Sequence, residues 1–401
     1  MSMPVILSGL FRHRALLGLI LVAALGLRLG LALARPQEGE AADEGHWDRM
    51  ARVFADQGLL AAEAGTYRPP LYPLMLAAIY RVCGTGFWPV RLVQAGLGVL
   101  TCLLIYHLGR RLGTSRTGLL AAALAAGYPL LVFFAGVRLA EGLIVLLAMV
   151  VLLQDTRFAA RPTLGNATLL GAALGLAGLA RPVLLAWGPL LIAGWWRRSD
   201  LTPRAWLGRT AAVVAGTVLV LAPWTLRNAV VTGRLVPVST NAGINLLIGH
   251  QPTASGAYQD TVDYQRLYDR LVEPETDPVL RDQLAVRRVI GWIAREPGRA
   301  VLLGLRKLVL LWNPWIAGES AGRNALAVAT SGPLLVLGGI GLWQTRSRPG
   351  AWGILSLILC LSAVHALFFA HTRFRLPADA ALMAPAAWVL ERLWAGWRRV
   401  A

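Results

Sequence analysis

Apolar runs of roughly 17 to 25 residues recur along this chain, and each can cross a bilayer core about 30 Å thick. Of the residues, 56% are hydrophobic and only 15% are charged, whereas a soluble domain carries about a quarter charged residues. Inside a bilayer the backbone must satisfy its own hydrogen bonds, which favours helices over open sheets. The runs therefore predict an all-α polytopic membrane protein, with residues 1–401 in a single domain.

The charge distribution orients the predicted helices. The formal net charge is +18, but the arginines lie in small groups between apolar runs rather than in one basic stripe. Such groups are typical of the cytoplasmic loops of membrane proteins, and they argue against a nucleic-acid partner. They predict about ten spans with both termini inside. The groups are Arg12 and Arg14; Arg110, Arg111 and Arg116; Arg157 and Arg161; Arg197, Arg198 and Arg204; Arg346 and Arg348; Arg398 and Arg399.

Two polar segments, at about 35–87 and about 227–322, are predicted as large outer loops, with amphipathic surface helices at 45–57 and 260–295. Residues 301–312 are predicted as an interfacial or re-entrant helix, because counting them as a span would put the last two arginine groups outside. The predicted spans cover about 15–34, 88–108, 117–134, 139–153, 167–180, 182–196, 211–224, 325–343, 352–369 and 378–397.

The N-terminal apolar run has two interpretations. It follows two arginines and ends in Ala32-Leu33-Ala34, which resembles the cleavage site of a signal peptide. The run from 15 to 34 is nevertheless long enough to cross a membrane, so an uncleaved first helix is favoured.

Asp43 and Glu44 place two adjacent carboxylates just after the first span. Ionisable groups close to a bilayer are costly, and a carboxylate there suits a base that activates an acceptor hydroxyl. The alternative is plain capping of the helix that follows. His46 lies beside Glu44 and Asp48, so a divalent metal site is a further alternative.

The segment Tyr67-Arg68-Pro69-Pro70-Leu71-Tyr72-Pro73 is more specific. Its prolines fix the backbone around Arg68, whose planar guanidinium suits a phosphate. A snorkelling arginine beside interfacial tyrosines is the alternative. Further charges expected on the same face are Arg138, Glu141, Arg181, Arg227, Arg373 and Arg375.

The order of these motifs resembles that of polyprenyl-phosphate-sugar glycosyltransferases with the GT-C fold. Asp43-Glu44 and the segment 67–73 are similar to the first outer loop of that family, and the likeness continues in 178–182, 223–228, 236–246 and 373–377. It covers most of the chain. It is closest to the bacterial family 39-like group, which includes relatives of protein O-mannosyltransferases, lipid A aminoarabinose transferases and rhizobial galacturonosyltransferases.

The resemblance implies roles for individual residues. Asp43 would be the general base or the carboxylate that orients the acceptor, with Glu44 supporting it. Arg68 would meet the donor phosphate, and Arg227 and Arg375 would lie near that phosphate. The residues expected to support the site are Tyr67, Tyr72, Glu141, Arg181, Asn245 and Arg373.

The implied reaction is inverting transfer of a hexose or pentose from a polyprenyl-phosphate donor to a lipid, glycan or protein hydroxyl. The site would lie on the outer side of a bacterial cytoplasmic membrane, and membrane lipids would be the remaining partner. No cofactor follows with certainty, and a divalent metal stays open. The alternatives are a transporter or lipid flippase, which would place charges at the bilayer midplane, and another envelope transferase such as a glycan ligase or polymerase.

Overall fold

The computed structural model describes residues 3–35, 42–196, 202–257, 277–315 and 320–400, and the side chains at 3–11, 42, 43 and 398–400 fall outside that description. Nearly all of the described residues are helical. Within them there is no strand, and Ala257 and Ala370 form an isolated bridge. The α-helices are α1 Met3–Ala34, α2 Ala42–Gln57, α3 Leu71–Cys83, α4 Phe87–Leu112, α5 Ser115–Gly127, α6 Pro129–Phe133, α7 Glu141–Ala160, α8 Leu164–Ala180, α9 Trp187–Trp196, α10 Pro203–Thr232, α11 Ala242–His250, α12 Pro278–Arg295, α13 Pro297–Trp312, α14 Ala321–Gln344, α15 Ala351–Leu367 and α16 Leu376–Val400.

The predicted all-α membrane architecture is confirmed. In the described parts of the chain, five helices are long and apolar enough to cross a bilayer, namely α1, α4, α7, α10 and α14. Shorter apolar helices accompany them at α3, α8 and α15, and at Pro182–Trp196. The exact number of spans stays a prediction. So does the interfacial position of α13, which contains the predicted segment 301–312. Of the predicted surface helix at 260–295, the part before residue 277 lies outside the described residues.

The third predicted span, 117–134, is not continuous. It breaks at Tyr128 between α5 and α6, because the Pro129 ring removes a backbone donor and blocks helical continuation. The freed carbonyl oxygens of Ala125 and Ala126 accept hydrogen bonds from the buried Arg28 guanidinium of α1, each at 3.4 Å. An arginine inside the bundle therefore satisfies the broken helix end.

The seventh predicted span, 211–224, is longer than expected, because α10 runs on through Pro223 to Thr232. It packs closely along α8. A side chain at Gly171 of α8 would collide with the backbone of Val213, and one at Gly216 of α10 would collide with the backbone of Thr168. Small residues at such a contact let two helix backbones approach, as is common in membrane bundles.

Candidate active site

A cavity of about 430 Å³ lies where several helix ends meet. Its walls come from α2, from the segment before α3, from the start of α7, from the ends of α8 and α15, from α11 and from the turn before α16. Residues that are distant in sequence are therefore brought to one end of the bundle. Six of the predicted site residues line this cavity: Tyr67, Arg68, Glu141, Arg181, Asn245 and Arg373.

Arg68 is held on the cavity wall by aromatic rings. Its guanidinium carbon lies 5.0 Å from the ring centre of Trp47 and 5.4 Å from that of Tyr67. The two prolines that follow restrict the backbone, and α3 begins directly after them at Leu71. This arrangement directs a permanent positive charge along an aromatic face, where cation–π attraction restrains it.

Glu141 and Arg373 form an ion pair at the cavity, with 3.6 Å between Nε of Arg373 and Oε1 of Glu141. Among the described side chains that line the cavity, Glu141 is the one carboxylate. It is the first residue of α7, where the helix dipole favours a negative charge. Arg181 completes the charged set, with its guanidinium carbon 4.3 Å from the ring centre of Phe374. The site therefore combines three arginines with one described carboxylate.

Asp43 and Glu44 lie in the first turn of α2. The side chain of Asp43 is outside the described part of the structure, but helical spacing puts position 43 on the same face as Trp47, which lines the cavity. The same spacing pairs Glu44 with Asp48 on another face. Adjacent acidic positions are thus divided between two faces of one helix.

Arg138 binds the face that carries Glu44 and Asp48. Its backbone N–H donates to Glu44 at 3.3 Å, and its Nη1 donates to Asp48 at 2.7 Å. Burial opposes ionisation of Asp48, but hydrogen bonds from Arg52 and Tyr80 and the charge of Arg138 outweigh it and lower the pKa of this carboxyl group. Since Arg138 lies three residues before Glu141, this cluster fixes α2 against the start of α7.

Tyr72 supports the segment just before Glu141 from the interior of the protein. Its hydroxyl is buried and donates to Gln94 of α4 at 2.7 Å. The Gln94 amide in turn donates to the carbonyl oxygens of Ala135 at 3.2 Å and Val137 at 2.7 Å. Tyr72 therefore supports the segment that leads into Glu141 without lining the cavity itself.

Arg227 lies near the C-terminal end of α10 and is 5% exposed. Its guanidinium donates to three backbone carbonyl oxygens, those of Leu59 at 2.9 Å, Ala61 at 2.6 Å and Gly65 at 2.8 Å. Gly65 has φ +62°, a conformation that favours glycine. The structure thus places Arg227 under the loop that delivers Tyr67 and Arg68, with its donors directed at the loop backbone.

The segment 236–240 is hydrogen-bonded to α10 by two side chains that follow Pro223, those of Trp224 and Asn228. Trp224 Nε1 donates to the carbonyl oxygen of Val238 at 2.8 Å, and the Asn228 amide donates to Val236 at 3.0 Å and to Val238 at 3.2 Å. Thr240 then donates its backbone N–H to Thr66 at 2.9 Å. These bonds join the segment before α3 to the segment before α11 and fix the start of α11, which carries Asn245.

Arg375 is fully buried with Asp379, and 3.2 Å separate its Nε from the Asp379 carboxylate. Its Nη1 donates to the carbonyl oxygens of Leu311 at 3.2 Å and Asn313 at 2.9 Å. The Tyr128 hydroxyl donates to the same carboxylate at 2.8 Å. These contacts join the end of α13 to the turn that carries Arg373, and Arg375 itself does not line the cavity.

We expect Arg375→Met to lower the free energy of unfolding by about 3–5 kcal/mol, because it removes the positive charge that compensates the buried Asp379 carboxylate. Thermal unfolding in detergent would measure the loss. The double variant Arg375→Met/Asp379→Leu should regain most of it, whereas Arg161→Met, at an exposed position, should melt like the wild type. A single variant as stable as the wild type would contradict a structural role for the pair.

Lys307, the only lysine of the chain, is buried on α13 and contacts the ends of α11 and α15. Its buried Nζ lies 3.0 Å from His250 Nε2 and 3.1 Å from the carbonyl oxygen of Leu367. Burial lowers the pKa of Lys307 to about 8. Burial and the charge of Lys307 lower the pKa of His250 to about 4. The contact joins the end of α11 to the end of α15.

Sequence reasoning missed His365, which lines the cavity near the end of α15. The available signal was an ionisable side chain in an apolar helix, where such residues are rare. Sequence reasoning also did not anticipate Phe374, whose ring contacts both His365 and Arg181.

The divalent metal considered at His46 as an alternative finds no ligand set in the part of the chain that the structure describes. Among the described residues, no group of three or more His, Cys, Asp or Glu side chains is placed to hold an ion. Glu44 and Asp48, the two described carboxylates considered beside His46, are both bound by Arg138.

Residues 67–224 match the family model of dolichyl-phosphate-mannose-protein mannosyltransferases. The apo crystal structure of the oligosaccharyltransferase from Archaeoglobus fulgidus is similar, with a TM-score of 0.57 and 15% identity, over 97% of this chain and 51% of that chain. This chain thus spans about half the length of that protein. The ArnT structure from Cupriavidus metallidurans bound to undecaprenyl phosphate has a TM-score of 0.44 and 17% identity, over 95% of this chain and 77% of that chain.

A search of curated proteins gives no match to the sequence. The family match and the fold nevertheless agree. They confirm the resemblance to polyprenyl-phosphate-sugar glycosyltransferases, and the chain is a multi-pass helical membrane protein with the GT-C fold.

Proposed function

We propose that this chain is a glycosyltransferase that moves a sugar from a polyprenyl-phosphate donor to a hydroxyl group of a lipid, glycan or protein. The observation that carries the proposal is the cavity itself. Arg68, Arg181 and Arg373 reach it from three separate segments, and Glu141 and Asn245 lie on the same walls. A cluster of guanidinium groups matches the charge and planar geometry of a phosphate that departs as a leaving group.

The reaction needs a group that takes the acceptor proton, and we assign it to Asp43. As the acceptor oxygen bonds to the anomeric carbon, its proton passes to the Asp43 carboxylate. The bond from that carbon to the phosphate oxygen breaks, and its electron pair leaves with the polyprenyl phosphate. Attack from the face opposite the leaving group inverts the anomeric configuration. Arg68, Arg181 and Arg373 stabilise the charge on the departing phosphate.

The other predicted site residues hold the catalytic and phosphate-binding side chains in position. Glu44 fixes α2 through Arg138, and Tyr72 supports the turn before Glu141. Arg227 holds the loop that presents Arg68. Arg375, which the sequence analysis expected near the phosphate, holds the turn that carries Arg373.

We assign the cavity to the outer side of a bacterial cytoplasmic membrane. Glu141 begins α7 at the cavity, whereas Arg157 and Arg161 line a separate cleft with Arg111 around the other end of that helix. A 20-residue helix extends for about 30 Å, which is the thickness of a bilayer core. Arginines gather on the cytoplasmic side of membrane proteins, so the cavity falls on the opposite side. A lipid-linked donor can keep its tail in the bilayer while its sugar enters the cavity.

Transfer of a labelled sugar by the purified protein tests the proposal. The donors are polyprenyl phosphates carrying mannose, galacturonic acid or aminoarabinose, and the acceptors are lipid, glycan and protein fractions of a bacterial envelope. We expect label on one acceptor fraction, release of polyprenyl phosphate and an inverted anomeric centre by NMR. The alternative, a flippase, is tested with the same donors in liposomes that contain the protein. Movement of the donor across the bilayer without sugar transfer would favour a flippase.

We expect Arg181→Met to lower kcat/KM for sugar transfer by about 100-fold, because the departing phosphate loses one charged donor. The matched control is Arg161→Met, which removes an arginine from the cleft at the other end of α7. This variant should leave transfer unchanged. Initial rates at several donor concentrations measure the effect. Equal losses in both variants would mean that overall charge, rather than the cavity, controls the rate.

A further inference from the structure

His365 lies in the wall of the cavity near the end of α15, and only 4% of the residue is exposed. Its ring stacks on Phe374, with 4.7 Å between ring centres and 14° between ring planes. The Arg181 guanidinium contacts the same Phe374 ring. The imidazole is thus fixed beside one of the three cavity arginines.

One hydrogen bond sets the tautomer of His365. Its Nδ1 lies 3.0 Å from the carbonyl oxygen of Phe369. A carbonyl oxygen only accepts, so Nδ1 carries the hydrogen, and in the neutral ring Nε2 is left with a lone pair. In the described part of the chain, this buried Nε2 has no hydrogen-bond partner.

Leaving a buried hydrogen-bond acceptor without a donor costs free energy, so the surroundings of Nε2 should offer room for a donor. The ring borders the cavity, so a molecule bound there can supply the donor. Phosphate oxygens are themselves acceptors and suit the arginines instead. A hydroxyl group of a sugar or of an acceptor molecule is the complementary partner for the Nε2 lone pair.

We infer that His365 Nε2 accepts a hydrogen bond from a substrate hydroxyl group and thereby contributes to substrate specificity. The inference rests on the proposed transferase function and adds a residue that recognises hydroxyl groups to a site rich in phosphate-binding groups. The hydroxyl belongs either to the sugar of the donor or to the acceptor. The first source predicts weaker donor binding in the variants, and the second predicts a raised acceptor KM.

Three substitutions separate the hydrogen bond from packing. His365→Asn can keep a donor near Nδ1 for the Phe369 carbonyl but lacks an atom at Nε2. His365→Gln is longer and can place its amide oxygen where Nε2 stood. His365→Phe keeps a stacked ring and removes both nitrogens. The matched control is His107→Asn, at an exposed position on α4 that does not line the cavity.

The first measurement is equilibrium binding in nanodiscs of the mannosyl, galacturonosyl and aminoarabinosyl polyprenyl phosphates, against bare polyprenyl phosphate. We expect His365→Asn and His365→Phe to bind one sugar-bearing donor about 5- to 150-fold more weakly, which is the effect of leaving one buried polar group unpaired. Bare polyprenyl phosphate should bind each variant as it binds the wild type. His365→Gln and His107→Asn should bind the sugar-bearing donor with nearly wild-type affinity.

The second measurement is the KM for donor and acceptor during transfer. Unchanged donor binding with a raised acceptor KM in His365→Asn would assign the hydroxyl to the acceptor, and the inference would stand. Folded His365→Asn and His365→Phe variants with neither change, or with equal loss of bare and sugar-bearing lipid, would overturn it. Absence of turnover in the wild type would count against the proposed function alone, because the binding measurement needs no transfer and still decides the role of His365.

Discussion

Asp43→Asn is expected to lower kcat for sugar transfer by about 100- to 10,000-fold, the usual contribution of a general base. The acceptor hydroxyl must lose its proton as the new bond forms, and asparagine cannot take that proton. Position 43 shares a face of α2 with Trp47, which lines the cavity next to Arg68. Initial rates under saturating donor and acceptor measure the loss.

Glu44→Gln is the matched comparison for Asp43→Asn, since it neutralises the neighbouring carboxylate. Glu44 is 5% exposed and is bound by Arg138, so its loss should mainly lower thermal stability. Asp43→Asn should instead melt like the wild type and still bind donor. Full activity in Asp43→Asn would move the base elsewhere, and Glu141, the described carboxylate of the cavity, would be the next residue to replace.

Much of the cavity was predictable because topology alone places helix ends on a common side. Four residues, Arg68, Glu141, Arg181 and Arg373, each lie at the end of an apolar helix or in a polar segment. The arginine-rich loops predict that these ends share one side of the membrane. Charged residues are rare in such a chain, so those near helix ends stand out. Their location near one end of the bundle follows from this, whereas the sequence predicts neither which of them line a cavity nor the distances between them.

The contacts of Arg227 and Arg375 could not be predicted from the sequence. In the sequence they resemble the cavity arginines, because each follows an apolar or aromatic segment that is predicted to end on the outer side. Their partners are backbone carbonyl oxygens of residues far away in the chain, such as Ala61 and Asn313. Whether a guanidinium faces a cavity or a buried loop depends on packing between elements, which local pattern does not encode.

Helix continuity was misjudged for the same reason. Pro129 and Pro223 both occur within predicted apolar runs, yet the chain breaks before the first and continues helically through the second. At the first, Arg28 from another helix satisfies the freed carbonyl oxygens. A proline lowers the cost of a break, but the available partners decide whether a break occurs.

Arg227→Met is expected to lower kcat/KM for sugar transfer by about 100-fold, although Arg227 does not line the cavity. Its guanidinium binds three carbonyl oxygens of the loop 59–65, which leads directly to Tyr67 and Arg68. Loss of those bonds lets Arg68 move away from the donor phosphate. Arg227→Lys should not restore activity, because one ammonium group cannot reproduce the planar fork that reaches all three acceptors.

Hydrogen exchange distinguishes this positioning role from direct phosphate binding. In Arg227→Met, backbone amides of 58–68 should exchange faster than in the wild type, and donor KM and kcat should both change. Arg234→Met is the matched control, because the Arg234 side chain is 44% exposed in a surface ion pair with Asp277 just after α10. This variant should change little. A raised donor KM with unchanged exchange at 58–68 would instead assign Arg227 to the donor phosphate, because the loop would then keep its place without the guanidinium.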